Sequence, residues 1–225
     1  YPERPIEAGK AWREMIHRYA ASSLGLVILL ATLLAWLNRR DPHQPVILPV
    51  MLLGVVIFQG LLGMWTVTLL LKPLIVMGHL LGGLTTLGLL VWLLLETRRS
   101  AKALQPARRH IPWLAVSGLV ILGMQIALGG WTSSNYAALA CPDIPTCQGQ
   151  WWPEDSNFAE GFVLWRGLGV NYEFGVLDAP SRVAIHFVHR LGAVATFTVL
   201  LLVGLRFRVR SQAAALRQAA TLVLG

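Results

Sequence analysis

Four of the six histidines in this sequence lie in long apolar segments: His17, His79, His186 and His189. Ionisable side chains at membrane depth are costly, so each of these histidines is expected to face the interior of a helical bundle and to have a functional role. Each lies close to the same end of its segment, which predicts a single histidine layer near one membrane surface. Two imidazoles that come from different helices at one depth can bind a haem from its two faces.

Small residues accompany two of these histidines and would leave room for a flat macrocycle. They flank His79 or follow His189, and they are Gly78, Gly82, Gly83, Gly192 and Ala193. Glycine also allows membrane helices to pack closely, so both interpretations stay open. Zinc is a competing interpretation because His186 and His189, at positions i and i+3, could supply two ligands. The sequence offers no further residues to complete such a zinc site.

A carboxylate and several arginines lie near the same boundary. Glu14 precedes His17 by three positions, so both side chains share one helix face. We expect Glu14 to orient the imidazole or to hold a proton, and an ion pair with Arg18 is the alternative. Four arginines are candidates to bind haem propionates, with simple snorkelling to the interface as the alternative: Arg18, Arg166, Arg182 and Arg190.

The composition identifies the class of protein that must position these residues. Of the 225 residues, 55% are hydrophobic and 13% are charged, which is typical of an integral membrane protein. Five unbroken apolar segments are long enough to cross a hydrocarbon core about 30 Å thick, at about 15–37, 46–71, 74–95, 112–130 and 183–205. A sixth segment begins near Ala213. The sequence therefore predicts an all-α, polytopic helical bundle, and the net charge of +8 is assigned to cytoplasmic loops rather than to nucleic-acid binding.

Basic residues cluster after the first, third and fifth spans, which places those loops in the cytoplasm and the N-terminus outside. The long loop 131–182 then lies outside, in an oxidising compartment. Cys141 and Cys147, six positions apart, are predicted to form a disulfide there rather than two free thiols. The aromatic residues that follow predict an interfacial helix or a lid on the membrane surface: Trp151, Trp152, Phe158, Phe162 and Trp165.

An internal repeat predicts how the spans are organised. Glu14–Arg18 and His186–Arg190 share the pattern x-x-His-Arg, followed by small residues. This match indicates two pseudo-repeated four-helix halves in an eight-helix protein, of which about five to six helices are present in this chain. The predicted N-terminal half is 1–97 with three spans, 98–111 is a basic cytoplasmic linker, and 112–225 is the C-terminal half with two to three spans. A further histidine, in a last helix beyond this sequence, would pair with His189.

A second repeat links the second and fourth spans in a different register. The pattern Gln-x-x-Leu-Gly-x-Trp-Thr occurs at 59–66 and again at 125–132. It predicts a packing pattern shared by alternate helices.

Several stretches resemble the bacterial heme A synthase family, which is related to the mitochondrial enzyme. They are Glu14–Arg18, KPLIVMGHLLGG at 72–83, LGGWTSSNYAALACPD at 128–143 and His189-Arg190, and the resemblance covers nearly the whole chain. The resemblance implies an enzyme that oxidises a methyl group of heme O to the formyl group of heme A for haem-copper oxidases. It implies that His17 and His79 flank the substrate haem in the N-terminal half, with Glu14 required for turnover.

The same resemblance implies that His189 ligates a haem b in the C-terminal half, and that Cys141 and Cys147 match an outer-loop cysteine pair of the family. His186 is interpreted as a residue beside the haem ligands. The first helix, the first outer loop and the last helix of the family are absent, so this chain alone is not expected to hold the C-terminal haem by two histidines.

The predicted location is the bacterial inner membrane, with several spans and the cysteine-containing loop outside. Expected partners are heme O, the lipid bilayer, a heme O synthase, cytochrome oxidase assembly factors and further copies of the chain; no nucleic acid is expected, and the electron donor is not identified. The main alternative function is a b-type di-haem cytochrome that takes electrons from a quinol. Such a cytochrome usually holds its haems at two depths, so the single histidine layer favours the synthase. A transporter with inverted repeats fits poorly, because a four-helix repeat keeps both halves in the same orientation.

Overall fold

The computed structural model describes residues 7–101 and 113–210, and every regular element in this part of the chain is a helix. In chain order the helices are α1 (Ala8–Leu37), α2 (Ile47–Thr68), α3 (Pro73–Ala101), α4 (Trp113–Ser134), α5 (Phe158–Gly161) and α6 (Ala179–Arg210). All of them except α5 contain a stretch long and apolar enough to cross a membrane. The prediction of an all-α, polytopic membrane protein is therefore confirmed. The predicted sixth span, near Ala213, lies outside the described residues.

Four of the five long helices extend beyond the apolar runs that predicted them, whereas α2 lies within its run. The first span was expected from about residue 15, but α1 begins at Ala8 and includes a polar turn that ends before Glu14. Likewise, α6 begins at Ala179, where the Asp178 carboxylate accepts the backbone N–H of Ser181 at 3.0 Å as an N-terminal cap. Helical hydrogen bonding needs no apolar side chains, so hydropathy marks the membrane-crossing part and not the helix ends. At its other end, α3 continues to Ala101, inside the predicted linker.

The described residues form two compact units. The first consists of 7–61 and 82–101, and the second of 62–81 and 113–210. In the first unit α1 packs on α2, where the hydroxyl of Thr32 donates to the backbone carbonyl of Pro49 at 3.0 Å. A Cβ at Gly25 would contact Val56 of α2 at 3.6 Å, so the two backbones approach closely. The predicted halves 1–97 and 112–225 stay a prediction.

The second unit contains a folded segment, 135–178, which we call the cap. Its core has two clusters of buried residues. The first combines Trp131 at the end of α4 with Ala137, Leu177 and Ile185, and the second surrounds the two cysteines with Val183 and Phe187 of α6. Trp152 of the cap stacks on Phe158 at 5.6 Å between ring centroids and meets Phe187 edge-on at 5.2 Å. Trp152 and Phe158 therefore pack against the first turns of α6, and the only described helix of the aromatic stretch is the four-residue α5.

Candidate functional site

His189 lies on α6, within three turns of its first residue, and its side chain is half-buried. The side-chain amide of Gln125, on α4, lies 3.0 Å from Nδ1 of His189, and the amide Nε2 also donates to the His189 backbone carbonyl at 3.1 Å. Gly129 is one turn further along α4, and a Cβ there would lie 3.3 Å from Cε1 and 3.8 Å from Nε2 of the ring. Helix α4 therefore holds Nδ1 by an amide and presents no side chain to the Nε2 edge.

His79 lies on α3, within two turns of its first residue, and has a similar glycine neighbour. A Cβ at Gly63, on α2, would lie 3.4 Å from Cε1 and 3.9 Å from Nε2 of His79. These distances differ by only 0.1 Å from those between Gly129 and His189. Both histidines thus present the same ring edge to a glycine on the preceding long helix.

A second pair of contacts repeats in the same way. A Cβ at Gly192 would overlap Oε1 of Gln125, and a Cβ at Gly82 would overlap the amide of Gln59. Gly82 follows His79 by three positions, as Gly192 follows His189. The second repeat, at 59–66 and 125–132, was predicted to be a packing pattern. Its glutamines and glycines contact histidines or the glycines beside them. The signal for these contacts was present in the sequence as a shared His-x-Leu-Gly at 79–82 and 189–192.

The other histidine of α6, His186, contacts the disulfide ring closed by Cys141 and Cys147. The backbone N–H of Cys141 donates to Nδ1 of His186 at 3.1 Å, and Nε of Arg190 lies 3.3 Å from its Nε2. The Arg190 guanidinium also donates to three backbone carbonyls of the ring, those of Cys141, Asp143 and Thr146, at 2.6, 2.5 and 2.9 Å. His186, one turn before His189, and Arg190, directly after it, thus hold the ring on α6.

The disulfide ring is ordered from within by Asp143. Its carboxylate accepts the hydroxyl of Thr146 and the backbone N–H groups of Gln148 and Gly149, at 2.7 and 2.9 Å for the two N–H groups. These hydrogen bonds to the ionised form lower the pKa of Asp143 from its ordinary 3.8 to about 2. Gln148 and Gly149 both have positive φ angles, of 54° and 75°, as a two-residue hairpin turn requires. The ring is therefore a pre-formed element with its own fixed charge.

A buried lysine joins the cap to the turn between α2 and α3. Lys72 is 2% exposed, its Nζ donates to the backbone carbonyl of Gly167, and the same atom lies 3.3 Å from the ring centroid of Trp165. The backbone N–H of Tyr172 donates to the carbonyl of Leu70 at 3.0 Å in the same region. Burial raises the pKa of Tyr172, while the charge of Arg166 lowers it. The cap is thus connected both to α6 and to the start of α3.

Glu14 and the predicted arginines have protein partners. On the exposed side of α1, Glu14 pairs with Arg18 at 2.5 Å, and His17 lies one turn from Glu14. The other arginines contact groups of the cap or the start of α6: Arg166 pairs with Glu160, Arg182 approaches the backbone carbonyl of Asp178 at 3.4 Å, and Arg190 holds the disulfide ring. Their role as propionate ligands stays a prediction. So does the pairing of His17 with His79, because these histidines belong to different units.

The donor set fits a haem better than zinc. In the ranges 7–101 and 113–210, no group of three or more His, Cys, Asp or Glu side chains is arranged to hold a metal ion. At His189 one ring nitrogen is held by an amide, and the edge with the other nitrogen faces a glycine. A single imidazole nitrogen beside a space that a Cβ would fill is suited to axial ligation of a planar group.

These features define the class of protein: a polytopic helical membrane protein that presents histidines near one end of its spans, with a disulfide-containing cap in the same unit as His79 and His189. Comparison with known proteins then identifies the family. A family model described as cytochrome oxidase assembly protein matches residues 3–225, and the chain belongs to this COX15-CtaA family.

Curated relatives bear the name heme A synthase. The chain is 45% identical to that of Shewanella oneidensis, over 96% of this chain and 64% of the relative. It is 28% identical to that of Rhizorhabdus wittichii, over 94% and 59%, and 32% identical to that of Mesorhizobium japonicum, over 87% and 52%. The chain thus spans between half and two thirds of the length of these relatives. No solved structure matches it significantly.

Proposed function

We propose that this chain is part of a heme A synthase, which oxidises a methyl group of heme O to the formyl group of heme A. The observation that carries the proposal is the repeated histidine–glycine contact, at His79 and at His189, in a chain whose curated relatives bear that name. A methyl C–H bond is unreactive toward protein side chains, so bound haem iron supplies the redox chemistry. The residues of this chain bind, orient and insulate the porphyrins.

His189 is the proposed ligand of a resident haem b in the C-terminal half. Its Nδ1 lies against the Gln125 amide, which leaves Nε2 as the ligating atom, and Gly129 keeps the adjacent backbone clear of that edge. Contact with an outer partner orients a ligating ring, and the tautomer of the ring depends on whether the Gln125 amide turns its oxygen or its nitrogen toward Nδ1. The cap, held to α6 by Arg190, would limit the access of water to this end of the helix.

His17 and His79 are the proposed residues for heme O, in the N-terminal half. Glu14 lies one helical turn before His17 and carries the negative charge of an ion pair with Arg18. Both side chains of that pair are 55% exposed, so the pair is weak, and we propose that Glu14 acts on the substrate beside His17. Arg18, Arg166, Arg182 and Arg190 are the proposed donors to porphyrin propionates.

We place the protein in the bacterial inner membrane with the cap outside the cytoplasm, because basic residues favour the opposite loops and a disulfide suits an oxidising compartment. Heme O would arrive from a heme O synthase, and heme A would pass to cytochrome oxidase assembly factors. Assembly into homo-oligomers is also proposed.

The test is to purify the protein, at the length at which the cell makes it, from cells that produce heme O, and to separate the extracted haems by chromatography. We expect heme O together with heme A, and a haem b in addition. His17→Ala and Glu14→Ala should abolish heme A while heme O remains. His43→Ala, which changes an exposed loop histidine, is the matched control and should leave the haems unchanged.

Two results would contradict the proposal. Haem b alone, with no heme O or heme A, would indicate an electron-transfer cytochrome. If the purified protein contained no haem, the histidines would be interpreted as packing residues.

A further inference from the structure

We propose that Gln125 is a positioning residue for His189, whose amide oxygen accepts the Nδ1 proton and so leaves Nε2 free to bind haem iron. This inference rests on the proposed function, because it assigns Gln125 to the haem b ligand of the C-terminal half. Nothing in the sequence pattern of α4 alone distinguishes Gln125 from a polar residue that is merely tolerated in a span.

The first argument is the chemistry of a ligating imidazole. A neutral imidazole that binds a metal through one nitrogen carries its proton on the other, and that proton nearly always has an acceptor. Nε2 of the Gln125 amide lies 3.0 Å from Nδ1 of His189. The Oε1 of this amide is buried and has no hydrogen-bond partner among the described residues. Gln125 thus holds an unused acceptor on the same group that already contacts Nδ1.

The second argument is that the two ends of the amide are nearly equal in size. A half-turn about the last side-chain bond exchanges Nε2 and Oε1, so the oxygen replaces the nitrogen beside Nδ1. The exchange gives up the donation to the His189 carbonyl, but that carbonyl in a helix also accepts the backbone N–H four residues later. Ligation of iron at Nε2 would favour this orientation, because it fixes the proton on Nδ1.

The third argument is that α6 makes room for this amide. A Cβ at Gly192 would overlap Oε1 of Gln125 and would lie 3.1 Å from Cδ1 of Leu128. Burying a polar side chain inside an apolar bundle costs free energy unless the side chain forms hydrogen bonds. The same clearance recurs between Gly82 and Gln59, whose buried amide has no hydrogen-bond partner within the described ranges. A packing role would be met equally well by leucine, so the repeat of a glutamine indicates a polar role.

The test compares three variants of the purified protein at its natural length: Gln125→Leu, Gln125→Glu and Gly192→Ala. The readouts are the ratio of haem b to protein and the midpoint potential of the haem. Gln125→Leu should weaken haem retention by about 10- to 100-fold, the usual effect of losing an outer partner of a metal ligand, and should raise the potential. Gln125→Glu should retain the haem and lower the potential, because a carboxylate draws the Nδ1 proton away more strongly.

Gly192→Ala should reproduce the loss seen in Gln125→Leu, and the double variant should lose no more than either single one. Gln44→Leu, the same chemical change at a half-buried glutamine of the first unit, is the matched control. If Gln125→Leu and Gln125→Glu both keep the wild-type haem content and potential while His189→Ala loses the haem, the inference is wrong and the proposed function stands. If His189→Ala keeps haem b, His189 is not its ligand and the inference is wrong, whereas the proposed synthase activity is judged separately by the presence of heme A.

Discussion

Replacing Arg190 by methionine should weaken the packing of the disulfide ring of the cap against α6, so that the ring leaves the helix more often. The guanidinium is half-buried and donates to the backbone carbonyls of Cys141, Asp143 and Thr146, at 2.5 to 2.9 Å. Methionine keeps the apolar stem of the side chain and removes all three donors. The carbonyls would then have to find water or stay unsatisfied next to α6.

The size of the effect follows from those bonds. A hydrogen bond with a charged donor contributes about 1.5–3 kcal/mol. The three bonds share one charge, and water can replace part of them at a half-buried site. The free energy needed to release the intact ring from α6 should therefore fall by about 2–4 kcal/mol. Because about 1.4 kcal/mol corresponds to a factor of ten in an equilibrium constant, the state with the ring released from α6 should become about 30- to 1000-fold more populated.

The assay is the rate at which a small thiol reagent reduces Cys141–Cys147 in the folded, detergent-solubilised protein, since the bond is shielded by Val183 and Phe187 until the ring opens. Arg190→Met should raise that rate by the factor given above, and Arg190→Lys should fall between it and the wild type. The matched control is Arg182→Met on the same helix, whose side chain approaches a single carbonyl at 3.4 Å. Reduction of Arg190→Met at the wild-type rate would refute the assignment of Arg190 as the residue that holds the ring.

Three further predictions concern other parts of the second unit. The pKa of Asp143 is about 2 instead of 3.8, so the folded ring binds fewer protons than the unfolded chain. Its contribution to stability is therefore complete above about pH 4 and is lost as the pH falls toward 2, and Asp143→Asn should abolish that part of the pH dependence of thermal unfolding. Lys72→Met removes a donor to Gly167 and a cation over Trp165, which should destabilise the cap by about 2 kcal/mol, measured as faster proteolysis. Gly129→Ala should press on Cε1 of His189 and lower the haem content, whereas Gly123→Ala on the same helix has no atom within 4 Å of its Cβ and should not.

Each of these predictions has an outcome that would contradict it. An Asp143→Asn protein whose melting temperature still falls between pH 4 and 2 as in the wild type would mean that another carboxylate carries the dependence. Unchanged proteolysis of the cap in Lys72→Met would show that the Tyr172–Leu70 backbone contact is sufficient to hold it. Equal haem content in the alanine variants of Gly129 and Gly123 would show that the ring tolerates a Cβ.

The spans could be predicted from the sequence because a membrane-crossing helix requires a long apolar run, and no other element satisfies its backbone hydrogen bonds in lipid. The helix ends could not, because α1 continues through polar residues to Ala8 without any change in its hydrogen bonding. The disulfide could be predicted because the two cysteines lie six positions apart in a loop assigned to an oxidising compartment, and Cys141 and Cys147 are bonded in the structure. The aromatic segment does not form a long interfacial helix, because its described helix is only the four-residue α5. Its Trp152 meets Phe187 edge-on, and its Trp165 lies beside Nζ of Lys72.

The contacts that the sequence did not reveal join residues far apart in the chain. Lys72 and Gly167 are 95 positions apart, and Gln125 and His189 are 64 positions apart. No local periodicity encodes such pairs, since each helix is apolar on most of its surface. The role of Arg190 as a propionate ligand stays a prediction, and no local pattern predicted its contacts with the backbone carbonyls of the cap. Only repetition within the chain gave a usable signal, through the two Gln-x-x-Leu-Gly patterns.

The two internal repeats have different registers, and together they assign different tasks to alternate helices. The first relates α1 to α6 through x-x-His-Arg, and the second relates α2 to α4 through Gln-x-x-Leu-Gly-x-Trp-Thr. In the structure the glycine of the second pattern faces a histidine on the following long helix, His79 in one copy and His189 in the other. A glycine-bearing helix followed by a histidine-bearing long helix therefore recurs within the described residues, at α2–α3 and at α4–α6. If duplication of that unit built the protein, the histidine of every copy should require its own glycine, and alanine at Gly63 should impair His79 as alanine at Gly129 impairs His189. A haem content that depends on Gly129 but is indifferent to Gly63, in a protein that binds both haems, would mean that the two copies have diverged in function as well as in sequence.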